Sequence, residues 1–257
     1  MTSLLETLAA GGEVREPVAL VVAHPDDEVI GLGSRLHCFA DLTLIHLTDG
    51  APRDGRDAER AGFADRHAYA AARESELRAA LSRLGVVPKR IGYGVPDQET
   101  AHNLADLTGR LRTDLAGVSA VFTHPYEHGH PDHDSAALAV RLAAPELPRF
   151  EMAFYHLAPD GAQFGRFWPD RSSPEKVIAL SPDEQARKAE ALQCFVTQAG
   201  TLGQFGVASE RIRRAPPYDL SRPAPPIRAL YEQWGFAESA SDWLRHARAM
   251  LEPACAA

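Results

Sequence analysis

Two short clusters of imidazoles and carboxylates carry the chemical signal of this 257-residue chain. The first is His24-Pro25-Asp26-Asp27-Glu28; the second runs from His124 to Asp134 and reads HPYEHGHPDHD. Groups of this kind, crowded into a few residues, repel and desolvate one another unless a cation or a water network compensates. Each cluster therefore reads as half of a metal site. Asp26 and Asp27 are neighbours, so in a turn they point apart, one toward a metal and the other toward the water that the metal would activate. The competing reading of His-Pro-Asp-Asp is local, an Asx turn with Asp27 as the cap of the next helix.

The elements that must position these clusters are legible beside them. Val18 to Ala23 is an unbroken apolar run rich in β-branched residues and closed by His-Pro, the signature of a strand buried on both faces of a parallel sheet. Ala120-Val121-Phe122 precedes the second cluster in the same way. Chemistry in open α/β sheets sits outside the carboxyl ends of the strands, so two such ends would bring both clusters to one rim. Leu42–Thr48 and Arg90–Tyr93 read as further strands, the latter followed by Asp97 in a turn. Phe150–His156 and Lys176–Leu180 read as two more. Residues 2–10 suggest a short helix capped by Thr2 or Ser3 with Glu6 as capping-box partner. Ser34–Phe39 reads as the end of a crossover helix.

Ala68–Leu84, stopped by Gly85, and Leu104–Leu115 have helical spacing, and Asp134–Ala143 follows the second cluster as a helix whose first turn holds His133. Ser181-Pro182-Asp183-Glu184 opens a helix running to about Thr197. Ala51–Arg66 reads as a mobile loop over the site and Pro159–Pro174 as an irregular insertion. Prolines 216, 217, 223, 225 and 226 mark an extended segment beyond Gly203, and Ile227–Trp234 and Ser241–Leu251 read as terminal helices. The expectation is one α/β domain over residues 1–257, a Rossmann-like, mostly parallel sheet flanked by helices. Its core spans about 16–202 and a C-terminal helical extension about 203–257.

The first cluster followed by Gly31 and Gly33, with His130-Pro131-Asp132-His133 downstream, resembles the LmbE/PIG-L family of zinc-dependent N-deacetylases. The resemblance runs in element order from about Val18 to about Leu202. It implies hydrolysis of an N-acetyl amide, most often on an N-acetylglucosamine-type sugar, with Zn2+ held by His24, Asp27 and His133 and with Asp26 as general base. It further implies a protonated His130 at the oxyanion or leaving amine, and a substrate-facing Arg73 from an Arg-x-x-Glu pattern with Glu76. Asp97 resembles a strand-end aspartate that holds sugar hydroxyls.

Asp132 reads either as an imidazole partner or as a helix N-cap, and Glu76 as a salt-bridge residue. His124 reads as a satisfied strand-end histidine, His128 as pocket wall, Glu28 as a helix-capping residue or one placed behind the ligands, and Cys38 and Cys194 as core. The alternative functions are a deacylase of a non-sugar N-acyl compound, a metal-dependent phosphoesterase, and a non-enzymatic sugar-binding relative.

A net charge of −8 argues against nucleic-acid or anionic-membrane partners. Cys38, Cys194 and Cys255 are odd in number and far apart, which favours a reducing, cytoplasmic setting. The N-terminus shows no signal-peptide pattern and no stretch approaches a membrane span. The expected partner is a small N-acylated substrate, and a homo-oligomer is compatible with the sequence.

Overall fold

A computed structural model describes residues 3–225 and 228–252. Thr2 as a cap, the helix start at Ile227, and Cys255 lie outside the described residues. In chain order the elements open with α1 (Leu4–Ala9), β1 (Val18–Val22), α2 (Asp27–Leu32), β2 (Leu42–Pro52), α3 (Arg56–Arg60), α4 (Arg66–Leu84) and β3 (Lys89–Asp97). Next come α5 (Leu104–Asp114), β4 (Ala120–Thr123), α6 (Pro131–Ala143), β5 (Arg149–Met152), β6 (Tyr155–Ala158), β7 (Gly161–Phe164) and β8 (Lys176–Ala179). The chain closes with α7 (Pro182–Leu192), α8 (Ala199–Leu202), β9 (Ser209–Arg214), α9 (Leu230–Gln233) and α10 (Ala240–Leu251).

Among the described residues the main sheet has seven strands in the order β3-β2-β1-β4-β5-β9-β8, with β1 to β5 parallel and β9 antiparallel to both of its neighbours, β5 and β8. The order in which strands are added reverses between β1 and β4, first β2 and β3 to one side and then β4 and β5 to the other, which makes their carboxyl ends the switch point where such sheets bind ligands. The apolar run of β1 is buried along its whole length. Its period of two divides the core: Val18, Leu20 and Val22 pack on one face with Val29, Leu77 and Phe122. Ala19 and Val21 pack on the other with Leu107, Leu111 and Trp243.

Local chemistry explains most helix limits. Asp65 accepts from Ala68 N at 2.8 Å to start α4, and Gly85, at φ 70°, stops it. Ser181 and Glu184 form a reciprocal capping box at α7, with Pro182 in its first turn. At α1 Ser3 does cap, but Glu6 sends its carboxylate to Lys176 Nζ instead of closing a box.

Several expectations are corrected. The region between α2 and β2 is a 3-10 turn at Leu36–Cys38 and not a helix end. Ala51–Arg66 contains the tail of β2 and α3. The strand expected over Phe150–His156 breaks at Ala153-Phe154, where Phe154 turns in against the rings of His124 and His133. Beyond it, β6 and β7 form a separate hairpin.

The C-terminal part is not purely helical, and the boundary expected near residue 202 does not hold in the sheet. Ser209–Arg214 inserts between β5 and β8. Its sequence, SERIRR, hides this because its inward charges are neutralised by partners distant in the chain. Glu210 accepts from Lys188 Nζ at 2.7 Å, and Arg213 donates to Glu151 at 2.8 Å and to Glu127 at 2.9 Å.

Arg213, Glu151 and Glu127 are all buried, so one guanidinium neutralises two carboxylates. Burial, only partly offset by Arg213, pushes the Glu151 carboxyl up to about 8. Arg213→Ala is expected to cost about 3–5 kcal/mol in denaturant unfolding, because it strands two buried acids. A raised acid contributes stability below its unfolded value and loses it as pH climbs toward the folded one. The deficit should therefore be smallest near pH 4 and grow toward pH 8; a deficit independent of pH would refute this account.

Candidate metal centre

The two clusters meet because β1 and β4 are adjacent, with Val18 opposite Ala120 and Leu20 opposite Phe122. Just past the strand ends Ala23 N donates to His124 Nε2 at 2.9 Å, tying one His-Pro turn to the other. His124 is thus a strand-end histidine but not a fully satisfied one: its Nδ1 is buried without a hydrogen-bond partner, and its ring stacks on His133 with centroids 3.9 Å apart.

At the first turn His24 N donates to Asp27 Oδ2 at 2.7 Å, so the Asx-turn reading of His-Pro-Asp-Asp is correct as local structure. Asp26, not Asp27, occupies the N-cap position of α2, and its side chain caps nothing. The Asp27 carboxylate lies among three imidazoles, with Oδ2 3.3 Å from both His24 Nδ1 and His124 Nε2, whose lone pair Ala23 N already engages, and Oδ1 3.5 Å from His133 Nε2. One ligand atom from each of His24, Asp27 and His133 lies within 4.8 Å of the others.

These separations are long for hydrogen bonds, and His133 Nε2 is buried with no hydrogen-bond partner. Donors on adjacent vertices of a tetrahedral ion with bonds of about 2.0–2.2 Å lie roughly 3.3–3.6 Å apart, so the set fits a divalent metal. The opposite nitrogen of His24 supports the same fit. His24 Nε2 faces Asp97 Oδ1 at 3.1 Å and Asp132 Oδ2 at 3.2 Å. A proton held there leaves the Nδ1 lone pair free for a ligand. Burial pulls the His24 imidazole down, but Asp97, Asp132 and Asp27 outweigh it and hold it well above its ordinary pKa. Burial likewise opposes ionisation of Asp27, yet His133 and His124 keep its carboxyl well below the usual range. The pocket is a cation site in its electrostatics as well as its geometry.

The first turn of α6 holds the rest of the centre. His130, not Asp132, is its N-cap: His130 Nδ1 accepts from Asp132 N at 3.1 Å. Accepting there requires the Nδ1 lone pair, so the imidazole is neutral with its proton on Nε2. Burial and the nearby His24 push His130 down to about 3. The expectation of a protonated His130 is corrected on both grounds. Asp132 accepts from Gln98 N at 2.7 Å, from Thr100 N at 3.2 Å and from Thr100 Oγ1 at 2.5 Å, besides its bond with His24. Asp97 lies among the imidazoles, its Oδ1 3.7 Å from His130 Nε2.

Asp26 faces the pocket with Oδ2 accepting from Arg73 Nη2 at 3.0 Å. Burial pushes its carboxyl up to about 7 against the opposing pull of Arg73. Arg73 is itself buried, its head group committed to Asp26. Glu76 forms no salt bridge with it: Thr197 N and Oγ1 donate to Glu76 at 2.9 and 2.6 Å, which pins the turn before α8. Glu28 accepts from His46 behind the site at 3.0 Å. The cavity, about 590 Å³, is walled by α3 on one side and by Tyr155, Trp234 and Phe236 on another.

His128 is not pocket wall. It is wholly buried at φ 52°; its Nδ1 bonds Asp134 at 2.8 Å and its Nε2 accepts from Ala224 N at 3.0 Å. Tyr155 and Phe236 of the cavity wall, and Thr100 buried behind it against Asp132, carry no sequence signal, because nothing local distinguishes such a Tyr, Phe or Thr from a core one.

A histidine and carboxylate cradle at the switch point of a parallel sheet, with a second carboxylate beside it, defines a metal-dependent hydrolase. Residues 19–144 match the family model PIG-L, GlcNAc-PI de-N-acetylase. A Bacillus anthracis protein named as a probable N-acetyl-alpha-D-glucosaminyl L-malate deacetylase 2 is 28% identical over 193 residues, covering 72% of this chain and 82% of that one. The crystal structure of the A40926 pseudoaglycone deacetylase superposes with a TM-score of 0.60 at 19% identity, covering 78% of this chain and 97% of that one. The N,N'-diacetylchitobiose deacetylase of Pyrococcus horikoshii gives a TM-score of 0.52 at 19% identity, with 82% and 87% covered. Residues 19–144, about half of the chain, are thus similar to the PIG-L family, and the chain is a hydrolase of the N-deacetylase type.

His128→Ala is expected to lower stability by about 2–4 kcal/mol, since it removes the imidazole partner of Asp134 Oδ2 and leaves Ala224 N without an acceptor in the interior. Metal content of the folded protein should not change; loss of metal at wild-type stability would place His128 in the centre after all.

Proposed function

We propose that this protein removes the acetyl group from an N-acetylated amino sugar or its glycoconjugate, with zinc held by His24 Nδ1, Asp27 and His133 Nε2. The observation that carries the proposal is Asp27 set between the imidazoles of His24 and His133 with the free carboxylate of Asp26 beside it. Two histidines and one carboxylate form a borderline donor set suited to zinc. The sugar is supported by the relatives, named for N-acetylglucosaminyl malate and diacetylchitobiose, and by a cavity that pairs polar groups of α3 with aromatic rings. Free thiols at Cys38 and Cys194 are in keeping with a cytoplasmic setting.

Bound at this point, the metal supplies Lewis acidity that activates water and polarises the amide carbonyl. Asp26 takes the proton of the attacking water, and its raised pKa lets it return that proton to the departing amine. His130 offers its Nε2 proton to the developing oxyanion as a neutral donor. Asp132 and Asp97 fix the ring of His24, and Asp132 N fixes that of His130. Arg73 holds Asp26 in place, so it acts through the base and not on the sugar.

His24→Ala, Asp27→Ala and His133→Ala should each reduce zinc occupancy sharply in a folded protein, read by elemental analysis. Wild-type affinity in any one would remove that residue from the ligand set. Asp26→Asn should keep its zinc and lose roughly 10²–10⁴-fold in rate, the usual worth of a positioned base. Zinc lost from Asp26→Asn and retained by Asp27→Asn would exchange the two roles. For Arg73→Ala, measured with an N-acetylated amino sugar that the wild type hydrolyses, kcat should fall with zinc unchanged. A rise in KM alone would restore Arg73 as a substrate contact.

A further inference from the structure

Two residues beyond Phe236 the chain builds a second cluster of metal-ligating side chains that the hydrolytic centre does not use. His102 comes from the 3-10 turn Thr100–Asn103, Glu238 from the segment before α10, and His246 from α10 itself. Glu238 presents one oxygen to each imidazole, with His102 Nε2 3.4 Å from Oε2 and His246 Nε2 3.8 Å from Oε1. The two rings meet edge to face at 4.6 Å, and the three ligand atoms lie within 4.8 Å of one another.

These contacts do not satisfy the groups that make them. Glu238 is only 8% exposed, and both its Oε1 and His246 Nε2 are buried without a hydrogen-bond partner. A buried carboxylate oxygen with no donor is costly, and a buried imidazole nitrogen aimed at it from beyond hydrogen-bond range does not relieve it. An ion between them would. Adjacent donors on a tetrahedral centre sit roughly 3.3–3.6 Å apart, close to both separations here. Burial, with the neighbouring His102 and Arg245, also holds His246 below its ordinary pKa, which keeps it a neutral ligand.

We propose that His102, Glu238 and His246 bind a second divalent transition-metal ion of the zinc type, solvent completing its shell on the exposed His102 side. The ion would be structural. It would join the turn whose Thr100 holds Asp132 to the segment whose Phe236 packs on His130, ring centroids 5.0 Å apart, and so set one wall of the cavity from outside it.

The test strips the full-length protein with a chelator, then titrates it with Zn2+ and measures bound metal by equilibrium dialysis and elemental analysis. Wild type should take up two equivalents. His102→Gln/His246→Gln should take up one, as should His24→Ala/His133→Ala, and the quadruple variant none. Zn2+ should also raise the Tm of His24→Ala/His133→Ala, and that rise should disappear in the quadruple variant. Both His102 and His246 are partly exposed, so the chelated Tm and circular dichroism of the Gln variant should match those of chelated wild type, which separates loss of a site from loss of fold. Equal uptake by wild type and His102→Gln/His246→Gln, whether one equivalent or two, would overturn the proposal.

Discussion

Because β1 and β4 pair in parallel with Leu20 opposite Phe122, the His-Pro turns that follow them open side by side, and every other feature of the centre rests on that register. A slip of one residue would reverse the faces of β1, carrying Val18, Leu20 and Val22 into the wrong layer. The register is locked from both directions. Below, alternating apolar residues of β1 fill two separate layers. Above, Ala23 N reaches across to His124 Nε2, and Thr48 donates from β2 to the oxygen of Ala23 through both N and Oγ1, at 2.9 Å each.

The carboxylates gathered at this rim would repel one another in isolation, and the fold disposes of each separately. Asp132 and Asp134 lie in the first turn of α6, where the positive end of the helix dipole favours them. Each also captures a backbone N–H from a residue in the left-handed region: Gln98 at φ 70° serves Asp132 and His128 at φ 52° serves Asp134. Among the described non-glycine residues these are the positive-φ positions, and both flank the site. The strain is local and is offset by charge-assisted hydrogen bonds, so the loops after β3 and β4 are held to the same helix turn. Glu127 and Glu151 depend instead on Arg213, which couples the site loop to the antiparallel end of the sheet.

The parts that hold the metal and the parts that shape the cavity come from different stretches of chain. The ligands and the base belong to the turn after β1, to α2 and to α6, inside the region that matches the family. The walls belong to α3, to Tyr155 on the β6–β7 hairpin, and to the segment around Trp234 and Phe236. α3 lies inside that matched region, whereas Tyr155, Trp234 and Phe236 lie beyond it, so the cavity is walled in part by segments outside the stretch that matches the family.

Much of this was determined by the sequence alone. The apolar run before His24, the repeat of that design before His124, the capping residues at Ser181 and the Gly85 stop are local patterns whose physics is complete within a few residues. They place the centre at two strand ends without any knowledge of the fold. What only the tertiary structure decided is where partners come from far along the chain. SERIRR becomes an interior strand because Lys188, Glu151 and Glu127 neutralise it, and none of them is near it in sequence. From its helix Arg73 could reach a sugar or a carboxylate, and only the packing of α4 against β2 sets its Nη2 3.0 Å from Asp26 at the cavity wall. His102, Glu238 and His246 are unremarkable singly, and only the docking of α10 brings them together. A buried charge is defined by its counter-charge, and the sequence fixes each group's chemistry but not its neighbour.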